Sequence, residues 1–131
     1  MKKGFVIVLL ALVLTVFAIV PVFADGDYTI AVVPKLTSIA WFQRMEVGVK
    51  EYAEETGVDA FYTGPSEGDG ALQAQFIEDL IAQGVDAICV VPFSTEALEP
   101  VLKKAREAGI LVISHEASGM ENIDYDIEAF N

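Results

Sequence analysis

Four short runs rich in β-branched and aromatic residues, Tyr28 to Val33, Val58 to Tyr62, Asp86 to Val91 and Ile110 to Ile113, recur at a regular beat with amphipathic stretches between them. None of the runs alternates cleanly between polar and apolar residues, which is the pattern of strands covered on both faces in a parallel sheet. Phe42, Met45, Val49, Tyr52 and Ala53 mark the buried face of a first helix that stops at Gly57. Leu72, Phe76, Ile77, Leu80 and Ile81 mark a second, stopping at Gly84, and Leu98, Val101, Leu102, Ala105 and Ala108 a third, stopping at Gly109. Each glycine suits a left-handed cap, and Ser38 and Ser94 are the expected N-caps of the first and third helices. Strand-helix repetition with short connections predicts an α/β fold, a doubly wound parallel sheet built from right-handed crossovers. Ile123 to Ile127 is a possible fifth strand.

In such a sheet the site lies beyond the carboxyl ends of the strands. Four segments are expected at that edge: Pro34 to Trp41, Gly64 to Gly70, Pro92 to Ser94, and Ser114 to Gly119.

Ahead of this beat stands a leader. Lys2 and Lys3 precede an unbroken apolar run from Phe5 to Val20, and Pro21-Val22-Phe23-Ala24 supplies small residues before Asp25. Residues 1–24 read as a secretory signal peptide cleaved after Ala24, with a membrane-spanning anchor as the alternative. No cysteine near the cleavage point offers a lipid attachment, so a soluble, monomeric product in a periplasm-like space is expected, with no stable membrane anchor. Cys89, the one cysteine, admits no internal disulfide and sits among aliphatics as an expected core residue.

Cleavage would leave 6 basic residues against 20 acidic ones, a formal charge of −14 in place of −12. That surface repels polyphosphate and offers no footprint for nucleic acid. Pro34-Lys35-Leu36-Thr37-Ser38 has no glycine to cradle a pyrophosphate. Gly64-Pro65-Ser66-Glu67-Gly68-Asp69-Gly70 has glycines but two acids and no phosphate-loop lysine, and reads as a flexible loop entering a helix. Ser114, His115 and Glu116 are adjacent, and successive strand side chains point to opposite faces, so they do not form a catalytic triad. No cofactor is expected. His115 is the single histidine, and Asp124, Asp126 and Glu128 read as a solvated strand edge and not as a metal cluster.

What remains is recognition of a small polar molecule. Lys35 follows a strand end, where an ammonium donates charge-assisted hydrogen bonds to a ligand oxygen. Trp41 and Phe42 lie about 100° apart on a helix. Phe42 fits the buried stripe, leaving Trp41 to pack on the apolar face of a ring. Glu116, with His115 beside it, is placed to accept from vicinal hydroxyls, and Phe93 and Ser94 to supply a wall and a hydroxyl.

These residues, in the runs Ile30-Ala31-Val32-Val33-Pro34-Lys35-Leu36, Trp41-Phe42, Tyr62-Thr63-Gly64-Pro65, Ile77 through Ile88, and Leu102 through Ile110, resemble the periplasmic sugar-binding proteins of bacterial ABC importers. The branch with the rhamnose and autoinducer-2 receptors is the nearest likeness. The resemblance implies two similar lobes joined by a hinge, a sugar or sugar-like signal trapped between them, and permease subunits as partners. It places Lys35, Trp41, Phe42 and Glu116 on the ligand-facing side of the first lobe. Many relatives carry tryptophan and aspartate where this chain has His115 and Glu116, which preserves an acid and leaves the sugar open. Members of the family are much longer, so residues 25–131 are expected to be an incomplete N-terminal lobe that alone binds sugar weakly or not at all. Two rivals follow from the same fold. One is an exported α/β hydrolase with catalytic residues partly in a missing C-terminal half. The other is a sugar-responsive transcription regulator, which would begin with a basic helix-turn-helix domain that this chain lacks.

Overall fold

A computed structural model describes residues 28–127 of the chain; the expected signal peptide and cleavage after Ala24, and Glu128, lie outside the described residues. The elements follow the sequence pattern to within a residue or two: β1 (Thr29–Val33), α1 (Ala40–Thr56), β2 (Asp59–Tyr62), α2 (Gly70–Gln83), β3 (Ala87–Val90), α3 (Thr95–Glu107), β4 (Leu111–His115) and β5 (Tyr125–Ile127). All strand pairs are parallel, in the order β2-β1-β3-β4-β5. Ile30 stands between Ala60 on one side and Ala87 on the other. Because β1 to β2 runs one way and β2 to β3 returns across β1, right-handed crossovers put α1 on one face of the sheet and α2 and α3 on the other.

The core lies between the sheet and the α2/α3 layer. Ala31, Val33, Ile88, Val90 and Val112 of the strands meet Ile77, Leu80, Leu98, Leu102 and Ala105 of the helices, all of them buried. The stripes expected on α2 and α3 are present, with two shifts of phase. Leu72 is exposed while Gln73 is fully buried, and Ala108 is exposed at the end of α3. On α1 only Phe42 is fully buried and Tyr52 is exposed.

Coverage of both faces, expected from the apolar runs, holds only in part. Leu111, Ile113 and His115 alternate with the buried Val112 and Ser114, and Tyr125 and Ile127 pair in register with Ile113 and His115. Tyr28, Leu111, Tyr125 and Ile127 therefore remain exposed on the side of α1. The connection from β4 to β5 contains no helix, and a right-handed one would lie on the α2/α3 side in any case. Cys89, half-buried on the α1 side, lines an apolar recess with Met45 and Ile113, and burial pushes its thiol pKa up.

Four caps explain the helix boundaries. Gly57 and Gly84 adopt left-handed φ of 75° and 73° and close α1 and α2. Ser94 caps α3 by accepting from the Ala97 amide at 3.3 Å, as expected. Ser38 does not cap α1: the N-cap position is Ile39, whose aliphatic side chain has no acceptor to offer, and the Ser38 carbonyl instead accepts from Gln43 Nε2. The cap of α2 is Asp69, whose carboxylate accepts from the amides of Ala71 and Leu72 at 2.8 and 2.9 Å.

The β4–β5 connection is tied down by carboxylates. Glu99 on α3 accepts from the amides of Glu121 and Asn122 and from the Asn122 side chain. Asp124 accepts from the Val112 amide and from Arg106, and Asp126 accepts from the Ser114 hydroxyl. Asp124 and Asp126 lie on the exposed edge that was expected, and each also makes a hydrogen bond to β4.

Candidate functional site

Every strand points its carboxyl end the same way, so the loops after β1, β2, β3 and β4 share one rim. Their mutual ties are specific. The Thr37 amide donates to the Pro65 carbonyl at 2.8 Å, joining the β1 loop to the β2 loop. Pro65 is buried, and Gly68 lies so close to Phe93 that a Cβ built there would stand 2.4 Å from its ring. The segment Gly64 to Gly70, expected to be a flexible loop, is in fact held on both sides.

At this rim the Lys35 ammonium, just past β1, meets the Glu116 carboxylate, just past β4, at 3.2 Å, with each side chain 31% exposed. Glu116 reaches this position through a φ of +56°, the left-handed region that a residue with a Cβ occupies only under strain. Such strain persists where the surrounding structure enforces it, and it concentrates at functional positions. The two charges cancel, so the pair presents donors and an acceptor without a net charge. Beside it Trp41, Arg44, Met45 and His115 line a recess of about 250 Å³.

The residues singled out from sequence divide accordingly. Lys35 and Glu116 are in direct contact, and Trp41 and His115 share a recess. Phe93 is half exposed at the end of β3. Ser94 stands beside it with its hydroxyl oxygen engaged as a cap. Phe42 is a correction: it is 4% exposed and packed inward, leaving almost no surface for a ligand. The separation of Ser114 from His115 follows the strand alternation. Ser114 is buried and bonded to Asp126, while His115 faces the recess beside α1. No nucleophile-base contact joins them. Among the described residues no group of three or more histidine, cysteine, aspartate or glutamate side chains is arranged to hold a metal ion.

Sequence reasoning missed Gln73. Its signal was its spacing, since it stands on the same stripe as Ile77 and Leu80 and is the polar member of an otherwise apolar face. It also missed Tyr62, at the end of β2, whose hydroxyl is buried without a hydrogen-bond partner. Burial and the nearby Glu46 carboxylate push the Tyr62 pKa up to about 12.

Residues 30–130 match the family model described as a periplasmic binding protein domain. The chain belongs to that family. It is 38% identical over 89 residues to the D-ribose/D-allose-binding protein of Pseudomonas aeruginosa, covering 65% of this chain and 28% of that one. Among solved structures, it is similar to LsrB from Clostridium saccharobutylicum in complex with AI-2, at 30% identity and a TM-score of 0.66 over 69% of this chain and 28% of that one. It is also similar to an ABC transporter solute-binding protein from Clostridium phytofermentas with bound L-rhamnose, at 31% identity and a TM-score of 0.64, again over 69% and 28%. The chain thus spans 28% of the length of each of these relatives.

Proposed function

We propose that this chain forms the first lobe of a solute-binding protein that captures a small neutral sugar or sugar-like signal outside the inner membrane and delivers it to an ABC permease. In this reading it is a receptor and not an enzyme, and residues 1–24 direct its export to the periplasm. The observation that carries the proposal is the Lys35–Glu116 pair, set under strain at the shared rim next to the Trp41 recess. A carboxylate accepts from two vicinal hydroxyls, an ammonium donates to a hydroxyl or carbonyl oxygen, and an indole covers the apolar face of a ring. The Lys35 charge is compensated by Glu116, while Arg44 lines the neighbouring recess. The relatives carry D-ribose or D-allose, AI-2 and L-rhamnose in their names, and rhamnose or autoinducer-2 is the finer assignment that the sequence favours.

One lobe supplies one wall, and tight capture requires a second lobe to close over the ligand. The isolated chain is therefore expected to bind D-ribose, D-allose or L-rhamnose only in the millimolar range. Titration of the ¹⁵N-labelled chain with each sugar should move the amides of Lys35, Trp41, Phe93, His115 and Glu116 together. Micromolar affinity of the chain alone, or shifts confined to another surface, would contradict the proposal.

A further inference from the structure

The structure assigns to Gln73 the role of positioning residue for the ligand rim, an inference that rests on the sugar-binding reading above. Gln73 is completely buried in the first turn of α2. Its Nε2 donates to the carbonyl of Pro34 at 2.8 Å and to the carbonyl of Val91 at 2.9 Å, and its Oε1 accepts from the amide of Phe93 at 2.9 Å. All three partners are backbone groups that have just left the sheet, one from β1 and two from β3. These neighbouring strands part here, because the chain after β1 turns back toward β2 while the chain after β3 runs on toward β4. Backbone groups beyond the last ladder bond have no strand partner, and buried ones need a substitute. A single amide satisfies three of them and holds the loop carrying Lys35 in register with the loop carrying Phe93 and Ser94.

No other side chain does this in the same space. Two donors and an acceptor on one planar group are required, reaching two loops at once. Glutamate has the length but as a carboxylate has no donor. Methionine has the bulk and neither function. The close approach of α2 that brings Gln73 within reach depends on Gly70, where an added Cβ would stand 3.0 Å from the β-carbons of Ser94 and Ala97.

The test compares wild type, Gln73→Met and Gln73→Glu in the ¹⁵N-labelled chain. In Gln73→Met, amide exchange at Phe93 should accelerate at least tenfold, and resonances should shift in both Lys35–Thr37 and Phe93–Thr95. The amides of Leu102 and Val112 should keep their protection, whereas a merely structural role would speed exchange across the whole sheet together. Added D-ribose should produce shifts at Trp41 and Glu116 at least tenfold smaller than in wild type at the same concentration. Gln73→Glu supplies the arm that survives if the methionine variant fails to fold. A protonated carboxyl keeps one donor for the Pro34 and Val91 carbonyls, and burial raises its pKa; once ionised it still accepts from the Phe93 amide but has no donor for either carbonyl, so the Lys35–Thr37 resonances should shift as pH rises, with wild type showing no such step. Unchanged Phe93 exchange in Gln73→Met, no pH step at Lys35–Thr37 in Gln73→Glu, uniform loosening, or an unaltered ribose response with displaced loops would each overturn the assignment. If the wild-type chain responds to no sugar, as a single lobe without its second wall allows, the exchange arm still decides whether Gln73 ties the two loops.

Discussion

Replacing Glu116 by alanine and by glycine should have opposite consequences from those seen at an ordinary surface position. Its φ of +56° costs a residue with a Cβ about 1–2 kcal/mol. At 3.2 Å the attraction to Lys35 is about 5 kcal/mol at an effective dielectric of 20. Desolvation and the ordering of two long side chains leave about 0.5–1 kcal/mol net for a partly exposed pair. Glu116→Ala loses the pair and keeps the strain, so it should destabilise by about 0.5–1 kcal/mol. Glu116→Gly loses the same pair but sheds the strain, at a cost of about 0.5–1 kcal/mol in added freedom of the unfolded chain. The three contributions nearly cancel, which makes the glycine variant about as stable as the parent and about 0.7 kcal/mol more stable than the alanine variant. Urea denaturation followed by far-ultraviolet circular dichroism, with matched m-values, resolves a difference of this size. A double-mutant cycle with Lys35→Met should return the pair's about 0.5–1 kcal/mol and shrink in 1 M salt. A glycine variant less stable than the alanine variant, or a cycle with no coupling, would refute the reasoning.

Gly48 offers the converse case, because it lies exposed within α1 with nothing within 4 Å of an added Cβ. Gly48→Ala should stabilise by about 0.5–1 kcal/mol, raising the melting temperature by several degrees. Tyr62→Phe removes a buried hydroxyl that has no partner, so it should leave stability unchanged or raise it by up to about 1 kcal/mol. In the parent, spectrophotometric titration should show one tyrosine ionising near 12. Acid should loosen the β4–β5 connection first. Hydrogen bonds from the Val112 amide and Arg106, against some burial, lower the Asp124 pKa from its ordinary 3.8. For Glu99 burial raises the pKa, but the bonds from Glu121 and Asn122 outweigh it and lower the value from 4.5. Carboxylates depressed in the folded state contribute stability that is complete above their unfolded values and is lost as pH falls through the folded ones. Asp124→Asn should therefore flatten part of the stability loss below about pH 4 in urea titrations at stepped pH.

The parallel sheet was legible because its strands are short unbroken apolar runs and because Gly57 and Gly84 punctuate the helices between them. Lys35 and Glu116 were legible as rim residues from their places just after strands. Their direct contact was not, since it depends on β3 lying between β1 and β4, and strand order is a property of distant pairings. The same non-locality hid the exposed side of the sheet. Leu111 lies in a run expected to be covered on both faces, but among the described residues α1 leaves it and Tyr125 exposed. Errors at finer grain had local causes. Ser38 looked like a cap, yet the chain turns one residue later at Ile39. The α2 stripe was taken through Leu72, one position short of Gln73, because a polar residue was not expected on the inward face.

β1, the first strand in the chain among the described residues, is an interior strand of the sheet, flanked by β2 and β3. β1 pairs with β2 early, but its other partner is β3, so Ile30 waits for Ala87 before that edge is closed. A nascent chain that has emerged only through α2 holds two paired strands, and so small a sheet is marginal in water. The sheet's interior therefore closes only once β3, which follows α2 in the chain, is in place.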